Sequence, residues 1–421
     1  MHRAGSSQAP VVRMADRYAL GFLIVTLLTA GLAWGLGGAA RAVAVLVVAT
    51  PCPLILAAPV AFVSGLSRAA HRGVIVKGGA VLERLAACTT LLIDKTGTIT
   101  RGRPTLVTVA VAPSMSEDEV LAAAASLDQM STHPLAEATV RAASARAFDL
   151  VLPADVTEVA GRGIAGTVGR RTVRVGTASW TGVEGAPAWA RAASRAARLE
   201  GALTVYVSLD AVPAGVLVFD DPLRPDAART IRALRRGGIR RVVLVTGDRL
   251  EVAQTIGAVV GVDEVLAERS PREKLDAVAL ESALAPTLMV GDGINDAPAL
   301  ALADVGVAMG ARGATAASEA ADVVLGVDRF DRVDEAILIA RRTRRTALQS
   351  MVAGMAMSLV AMAVAAAGRL PVVTGALLQE VIDATVILYA LRALGGRAPA
   401  LGEDEGSELV GDPLVARTQN P

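Results

Sequence analysis

Cysteine is almost missing from this chain. Its 421 residues include 2, Cys52 and Cys88, too few and too far apart for a disulfide framework or a zinc-finger spacing. They leave the redox compartment undecided. A surplus of charge is missing as well: 42 Lys and Arg stand against 41 Asp and Glu, a net +1, which argues against a nucleic-acid partner. Apolar residues are what the chain has in plenty, 53% of the total with a mean hydropathy of +0.49. That is too apolar for a wholly soluble protein, so membrane spans are expected, in a chain long enough for roughly two to four domains.

Residues 1–17 are polar and basic, with Arg3, Arg13 and Arg17. Tyr18 to Leu36 is then almost wholly apolar and about as long as the roughly 20 residues that cross a bilayer. A signal peptide is the alternative, with Gly38-Ala39-Ala40 as its small residues, but the run is long for that and a second span, about Arg41 to Leu66, follows at once. This span contains Thr50-Pro51-Cys52-Pro53. Two prolines break a membrane helix and free backbone carbonyls, which is tolerated where the backbone lines a cavity. Cys52 between them is either a soft thiolate ligand or a small hydrophobe at a kink. Two further spans are expected at Ala347 to Ala367 and Pro371 to Leu394. The last contains Gln379, Glu380 and Asp383, and acids in a span usually face a cavity or ion path. Glu380 and Asp383 are three apart and share a helical face. Arg68, His71, Arg72, Lys77 and Arg84 after the first pair, and Arg341, Arg342, Arg344 and Arg345 before the second, are cytoplasmic markers.

Between the two pairs lies the chemistry. Thr90-Leu91-Leu92-Ile93 reads as a buried strand with Asp94 at its tip, followed by Lys95-Thr96-Gly97-Thr98. Arg241 to Val245 leads into Thr246-Gly247-Asp248, and Thr287 to Val290 into Gly291-Asp292-Gly293-Ile294-Asn295-Asp296. Pro271-Arg272-Glu273-Lys274 lies between them. In open α/β sheets ligands bind at this carboxyl edge, and a carboxylate there can attack a phosphoryl group. Mg²⁺ would sit between the carboxylates, with Lys274 and Thr246 holding the transferring phosphoryl. Ordinary turn chemistry explains any one of these acids alone. The ordered set does not reduce to that.

The set resembles the phosphorylation domain of the heavy-metal-translocating P-type ATPases, over roughly Ser6 to Leu394. The resemblance implies an α/β fold plus transmembrane helices. A haloacid-dehalogenase-like Rossmann phosphorylation domain carries an inserted α+β nucleotide-binding domain and is flanked by two helix pairs. The expected boundaries are 1–17 a linker, 18–66 a helix pair, 67–107 and 214–346 the phosphorylation domain, 108–213 the nucleotide domain, 347–394 a second helix pair and 395–421 a disordered tail. Asp94 is the expected nucleophile, with Lys274, Thr246 and Asp248 catalytic. Asp94, Asp292 and the Thr96 carbonyl are expected to hold Mg²⁺, supported by Asn295 and Asp296. ATP is expected at His133 in Ser131-Thr132-His133-Pro134, Asp128, Gly161 and Gly163, with Thr96, Gly247 and Asn295 on the phosphate side. Thr132 replaces the family's usual Glu. Thr96 also stands where related phosphatases carry an acid, which favours keeping an aspartyl phosphate over hydrolysing it.

Cys52, Glu380 and Asp383 are the transport-site candidates. The family often has Cys-Pro-Cys, and Thr50 in place of the first Cys, with nearby carboxylates, points away from Cu(I) and toward a divalent ion. No Thr-Gly-Glu and no Cys-x-x-Cys occur in the sequence, so the expectation is a catalytic half that begins at the third core helix, with a separate or upstream actuator segment as partner. The expected setting is the cell membrane, multi-pass, with the catalytic domains and both termini cytoplasmic. A membrane-bound ATP-binding or self-phosphorylating remnant is the alternative; a membrane-anchored phosphohydrolase is a third, which Thr96 opposes.

Overall fold

The apolar runs that end in acids become neighbouring strands. The computed structural model describes residues 10–50, 52–183, 187–292, 296–310 and 315–395. The chain lays down β1 (Val74–Val76) and β2 (Thr90–Asp94), then leaves for β3 (Thr105–Val111), β4 (Ala154–Val159), β5 (Gly163–Val168), β6 (Arg171–Gly176), β7 (Leu203–Leu209) and β8 (Val212–Asp220). It returns in β9 (Arg241–Val245), β10 (Glu264–Leu266), β11 (Thr287–Gly291), β12 (Val305–Met309) and β13 (Val323–Leu325).

The first and last groups form one seven-stranded sheet in the order β1-β13-β12-β11-β2-β9-β10. All its pairs are parallel except β1 with β13. Leu91, Leu92 and Ile93 in β2, Val242 to Leu244 in β9 and Leu288 to Val290 in β11 are fully buried. Continuous apolar strands of this kind are what a parallel sheet covered on both faces requires. In register Asp94 lies beside Val245, and Ile93 beside Val290. The three segments that follow β2, β9 and β11 therefore leave the sheet at one edge, side by side.

The insertion is a six-stranded antiparallel sheet, β3-β8-β7-β6-β5-β4. Its entry and exit strands are paired, Thr105 opposite Asp220, and Thr100 bridges Leu223 just before them. Both faces are covered. Leu217 and Phe219 of β8 pack with Val120, Ala124 and Leu127 of the helix Glu117–Asp128, while Val216 and Val218 pack with Ala190 and Ala197 of Ala188–Glu200.

A second compact unit comprises residues 10–68 and 342–395 among those described. Its helices are Pro10–Gly37, Ala39–Val48, Cys52–His71, the later part of Arg332–Ala366, and Val372–Ala390. Leu20–Gly37, Arg332–Ala366 and Val372–Ala393 are long and apolar enough to cross a membrane. The first helix starts at Pro10, inside the stretch expected as linker. The expected second span is two shorter helices that meet near Thr50, because a proline ring cannot continue the ladder. Pro51 itself, Asn295 and residues 396–421 of the expected tail lie outside the described residues. The expected separate helix Asp334–Ala347 and the span after it are one 35-residue helix.

Close approach of the helix Ala297–Leu302 to β12 depends on Gly306, where an added Cβ would lie 2.2 Å from the Leu300 carbonyl oxygen. Gly306→Ala is expected to destabilise the catalytic unit by about 1–3 kcal/mol through this overpacking. The midpoint of thermal unfolding checks it, and an unchanged midpoint would show that the helix shifts without cost.

Candidate active site

Lys274 is delivered by its helix cap. Pro271–Leu284 begins with a capping box in which the Ser270 backbone N–H donates to Glu273 Oε2 at 2.9 Å and the Ser270 hydroxyl accepts from the Glu273 N–H. This fixes the first turn, and Lys274 projects from it into the sheet edge. Its Nζ donates to Asp94 Oδ1 at 2.5 Å and to Asp296 Oδ1 at 3.1 Å. Asp94 is 5% and Asp296 3% exposed, so the contacts are shielded from solvent. Burial pushes the Asp94 carboxyl up to about 6; the Asp296 charge adds to this, Lys274 opposes it, and Asp292 contributes again in the raising sense. Burial works against the charge on Lys274, but Asp94 and Asp296 outweigh it and its pKa rises.

The loop after Asp94 is held from several sides. Lys95 Nζ pairs with Asp248 Oδ2 at 2.5 Å, so Asp248 binds the loop and not the Lys274 cluster. Thr246 is buried, and its hydroxyl accepts from the Asp248 N–H at 3.2 Å. Thr96 has extended backbone and Gly97 is left-handed at φ 68°. A Cβ on Gly97 would stand 2.8 Å from Asp292 Oδ2, so glycine is required both by conformation and by the closeness of that carboxylate. Arg224, which the motifs do not single out, straps the loop: its Nε donates to the carbonyls of Thr98 at 2.8 Å and Thr100 at 3.0 Å, and its guanidinium pairs with Asp328. The Thr100 hydroxyl donates to Asp221 Oδ2 at 2.6 Å. Thr98 Oγ1 is buried and has no hydrogen-bond partner among the described residues.

Among the described residues no three His, Cys, Asp or Glu side chains converge as a metal cluster. A Mg²⁺ site of two carboxylates and a carbonyl needs no such trio. Asp94, Asp292 and the Thr96 carbonyl are all hard oxygen donors, the kind Mg²⁺ takes, and the mutual repulsion recorded at Asp94 is what a divalent cation relieves. The residues fit the ion.

In the inserted unit His133 caps the helix Pro134–Ala145, its Nδ1 accepting from the Leu135 N–H at 3.2 Å while the ring stays exposed. Ser131 ties the turn to β4 through Glu158 Oε1 at 2.6 Å. Asp128 lies beneath the turn, 3% exposed. Burial raises its pKa to about 7; Thr139 opposes the rise and Glu158 adds to it. The Thr139 hydroxyl also donates to the Leu135 carbonyl at 2.9 Å. Gly161 is a left-handed turn residue with open space around it, whereas a Cβ on Gly163 would meet the Val175 carbonyl at 2.2 Å and Trp180 at 2.7 Å. Gly163 is thus demanded by strand packing.

In the membrane unit the backbone of Cys52 begins a helix, and its side chain lies outside the described residues. Gln379 is buried, its Nε2 donating to Asp383 Oδ1 at 3.0 Å and to the Thr50 carbonyl at 3.4 Å. Gln379 Oε1 and Ser358 Oγ are buried without a hydrogen-bond partner among the described residues. Glu380 is exposed. The polar pair that faces inward is therefore Gln379 with Asp383, one turn apart, and the expected pairing of Glu380 with Asp383 on one inner face differs from this arrangement.

Residues 88–304 match the family of haloacid dehalogenase-like hydrolases, and the chain belongs to that family. It is 40% identical over 387 residues to a copper-exporting P-type ATPase of Mycobacterium tuberculosis, covering 89% of this chain and 50% of the relative. To a zinc-transporting ATPase of Synechocystis it is 37% identical over 315 residues, 74% of this chain and 43% of the relative. The crystal structure of a zinc-transporting PIB-type ATPase in its E2.Pi state superposes with a TM-score of 0.74 at 30% identity, over 92% of this chain and 66% of that one. These likenesses bear out the expected kinship with heavy-metal P-type ATPases. The chain spans about half the length of the curated relatives it matches.

Because burial raises Asp128, the folded chain keeps a proton that the unfolded chain releases. Its contribution is fully present below the ordinary aspartate value of about 3.9 and is lost as pH rises through about 7. Asp128→Asn is expected to flatten this part of the fall in stability between about pH 4 and 7, read as unfolding midpoints across pH. An identical slope in both proteins would mean Asp128 titrates normally.

Proposed function

We propose that this chain carries the ATP-driven phosphorylation and ion-conducting machinery of a heavy-metal exporter. The observation that carries the reading is Lys274 bridging Asp94 and Asp296 at the carboxyl edge of the parallel sheet. ATP is bound with its base at the inserted unit, at His133, Asp128 and Gly161, and its γ-phosphate at Asp94. An Asp94 carboxylate oxygen attacks the γ-phosphorus; the new O–P bond forms as the bond to the bridging oxygen breaks, and ADP leaves carrying that electron pair. Lys274 and Thr246 supply positive charge and a donor to the equatorial oxygens, the positioning and electrostatic help that phosphoryl transfer needs. Mg²⁺, when bound by Asp94, Asp292 and the Thr96 carbonyl with Asn295 and Asp296 in support, neutralises phosphate charge. Thr96 offers no carboxyl to activate water, so the aspartyl phosphate persists.

The cargo path is assigned to Cys52, the Thr50 carbonyl, Gln379 and Asp383, with Glu380 peripheral. One thiolate among oxygen donors suits a divalent ion of intermediate character better than Cu(I). The Arg-rich flanks support a reading in which the catalytic unit and both termini lie on the cytoplasmic side of the cell membrane.

Membranes containing the chain, given [γ-³²P]ATP and Mg²⁺, are expected to yield an acid-stable, hydroxylamine-labile label that Asp94→Asn abolishes. Lys274→Ala should cut the rate of labelling about 100-fold. Absence of label with and without divalent metals would favour a non-transporting, ATP-binding remnant. Steady turnover of small phosphate esters would favour a phosphohydrolase.

Asp383→Ala and Gln379→Ala are each expected to reduce metal stimulation of labelling by about tenfold or more, the loss that follows removal of a metal-site group. Glu380→Gln should leave it within about twofold, since that side chain is exposed. A zinc, cobalt, manganese and copper(I) series measures this, and a larger loss in Glu380→Gln than in Asp383→Ala would reverse the assignment.

A further inference from the structure

Residues 129–133, Gln-Met-Ser-Thr-His, join the helices Glu117–Asp128 and Pro134–Ala145 and carry no acid. A carboxylate reaches this turn from another element. Glu158 lies on β4, where it is paired with Ile164 of β5, and its Oε1 accepts from the Ser131 hydroxyl at 2.6 Å. That length belongs to a charge-assisted O–H···O⁻ bond. A serine hydroxyl has one proton and two lone pairs. With the proton committed to Glu158, the oxygen accepts the His133 backbone N–H at 3.2 Å. The Ser131 N–H closes the turn on the Asp128 carbonyl at 3.1 Å.

His133 is the last link of this chain. Its Nδ1 accepts from the Leu135 N–H at 3.2 Å, so in the neutral ring the proton sits on Nε2. The residue is held at its backbone by Ser131 and at its ring by Leu135, and it offers a ligand a donor and not an acceptor. It is exposed, so a ligand can reach it. The unsubstituted ring nitrogens of a purine are acceptors, the partners such a donor takes. Without Glu158 the Ser131 hydroxyl turns freely, and the His133 N–H loses an acceptor of fixed direction.

We propose that Glu158, acting through Ser131, is a positioning residue for nucleotide recognition: it holds His133 as an Nε2–H donor to a ring nitrogen of the purine base. The proposal rests on the reading that ATP binds with its base at His133. Glu158 also stands three residues ahead of Gly161, so one carboxylate tethers the His133 turn to the strand that leads into the other turn assigned to the base. Because Glu158 is exposed, replacing it alters the stability of the fold little, and its effect is expected in binding.

The test uses the intact chain in nanodiscs, labelled with [¹⁵N]histidine and held in mildly alkaline buffer. Nitrogen chemical shifts report the tautomer of His133, assigned by the signal that His133→Ala removes. Affinity for ATP is read by displacement of a fluorescent ATP analogue. The wild type is expected to show Nδ1 bare and Nε2 protonated. Glu158→Ala should mix the two tautomers and weaken ATP about 3–10-fold, the range that loss of one hydrogen bond carries. Glu158→Gln, whose amide oxygen still accepts from Ser131, should restore both. In a His133→Ala background Glu158→Ala should change affinity by less than about twofold, because the two act on one contact. An unchanged tautomer in Glu158→Ala would overturn the proposal. Equal loss of affinity with and without His133 would do the same, since Glu158 would then act on the nucleotide or the fold directly. Wild-type affinity in His133→Ala would defeat the base-binding reading, and the proposal with it. Weakened ATP in His133→Ala with none lost in Glu158→Ala would defeat the proposal alone.

Discussion

Crowding of negative charge at one sheet edge is the constraint from which the catalytic unit is built. Parallel pairing of β9, β2 and β11 sends three acid-bearing segments out side by side, and Asp94, Asp292 and Asp296 repel one another there. A single lysine answers them from a helix whose first turn is locked by Ser270 and Glu273. Losing one partner of such a buried group typically costs about 3–5 kcal/mol, so the cluster holds together only as a set. The excess of negative charge raises Asp94 and holds the proton on Lys274.

The same constraint explains the loop. Gly97 has no room for a side chain because Asp292 stands against it, and its left-handed backbone turns Thr98 and Thr100 back toward the sheet. Arg224 gathers their carbonyls, and Asp221 takes the Thr100 hydroxyl. Both clamps sit where β8 of the inserted sheet hands the chain back. Since the entry and exit strands are paired, movement of the insertion as a body pulls on Thr100 and Arg224 together. Such a movement reaches the loop after Asp94 through two short connections.

Much of this was legible beforehand because it depends on local runs. Uninterrupted apolar stretches ending in Asp or Thr-Gly-Asp announce parallel strands and the acids at their tips. Contacts that join distant segments were not legible. Lys274 and Asp94 are 180 residues apart, and only the motif order suggested their meeting. Arg224, Glu158 and Thr139 carry no signal that separates them from other polar residues until their partners are seen. Gly163 shows the reverse difficulty: a Gly-x-Gly read as room for a ligand is filled by the neighbouring strand. In the membrane unit the break at Thr50 follows from proline chemistry, but the rotation of the last helix does not, since Gln379, Glu380 and Asp383 are all polar.

That rotation has an energetic logic. An apolar bundle cannot leave a broken helix's carbonyl without a donor at low cost. Turning Gln379 inward supplies the Thr50 carbonyl with an amide N–H and ties the same amide to Asp383. Glu380, 100° further round by helical geometry, must then face outward. One face of the last helix is thereby committed to repairing the break in its neighbour, and the repair leaves Gln379 Oε1 without a donor. The repair thus sets a buried amide acceptor beside the Asp383 carboxylate, a polar pair that the surrounding apolar helices do nothing to satisfy.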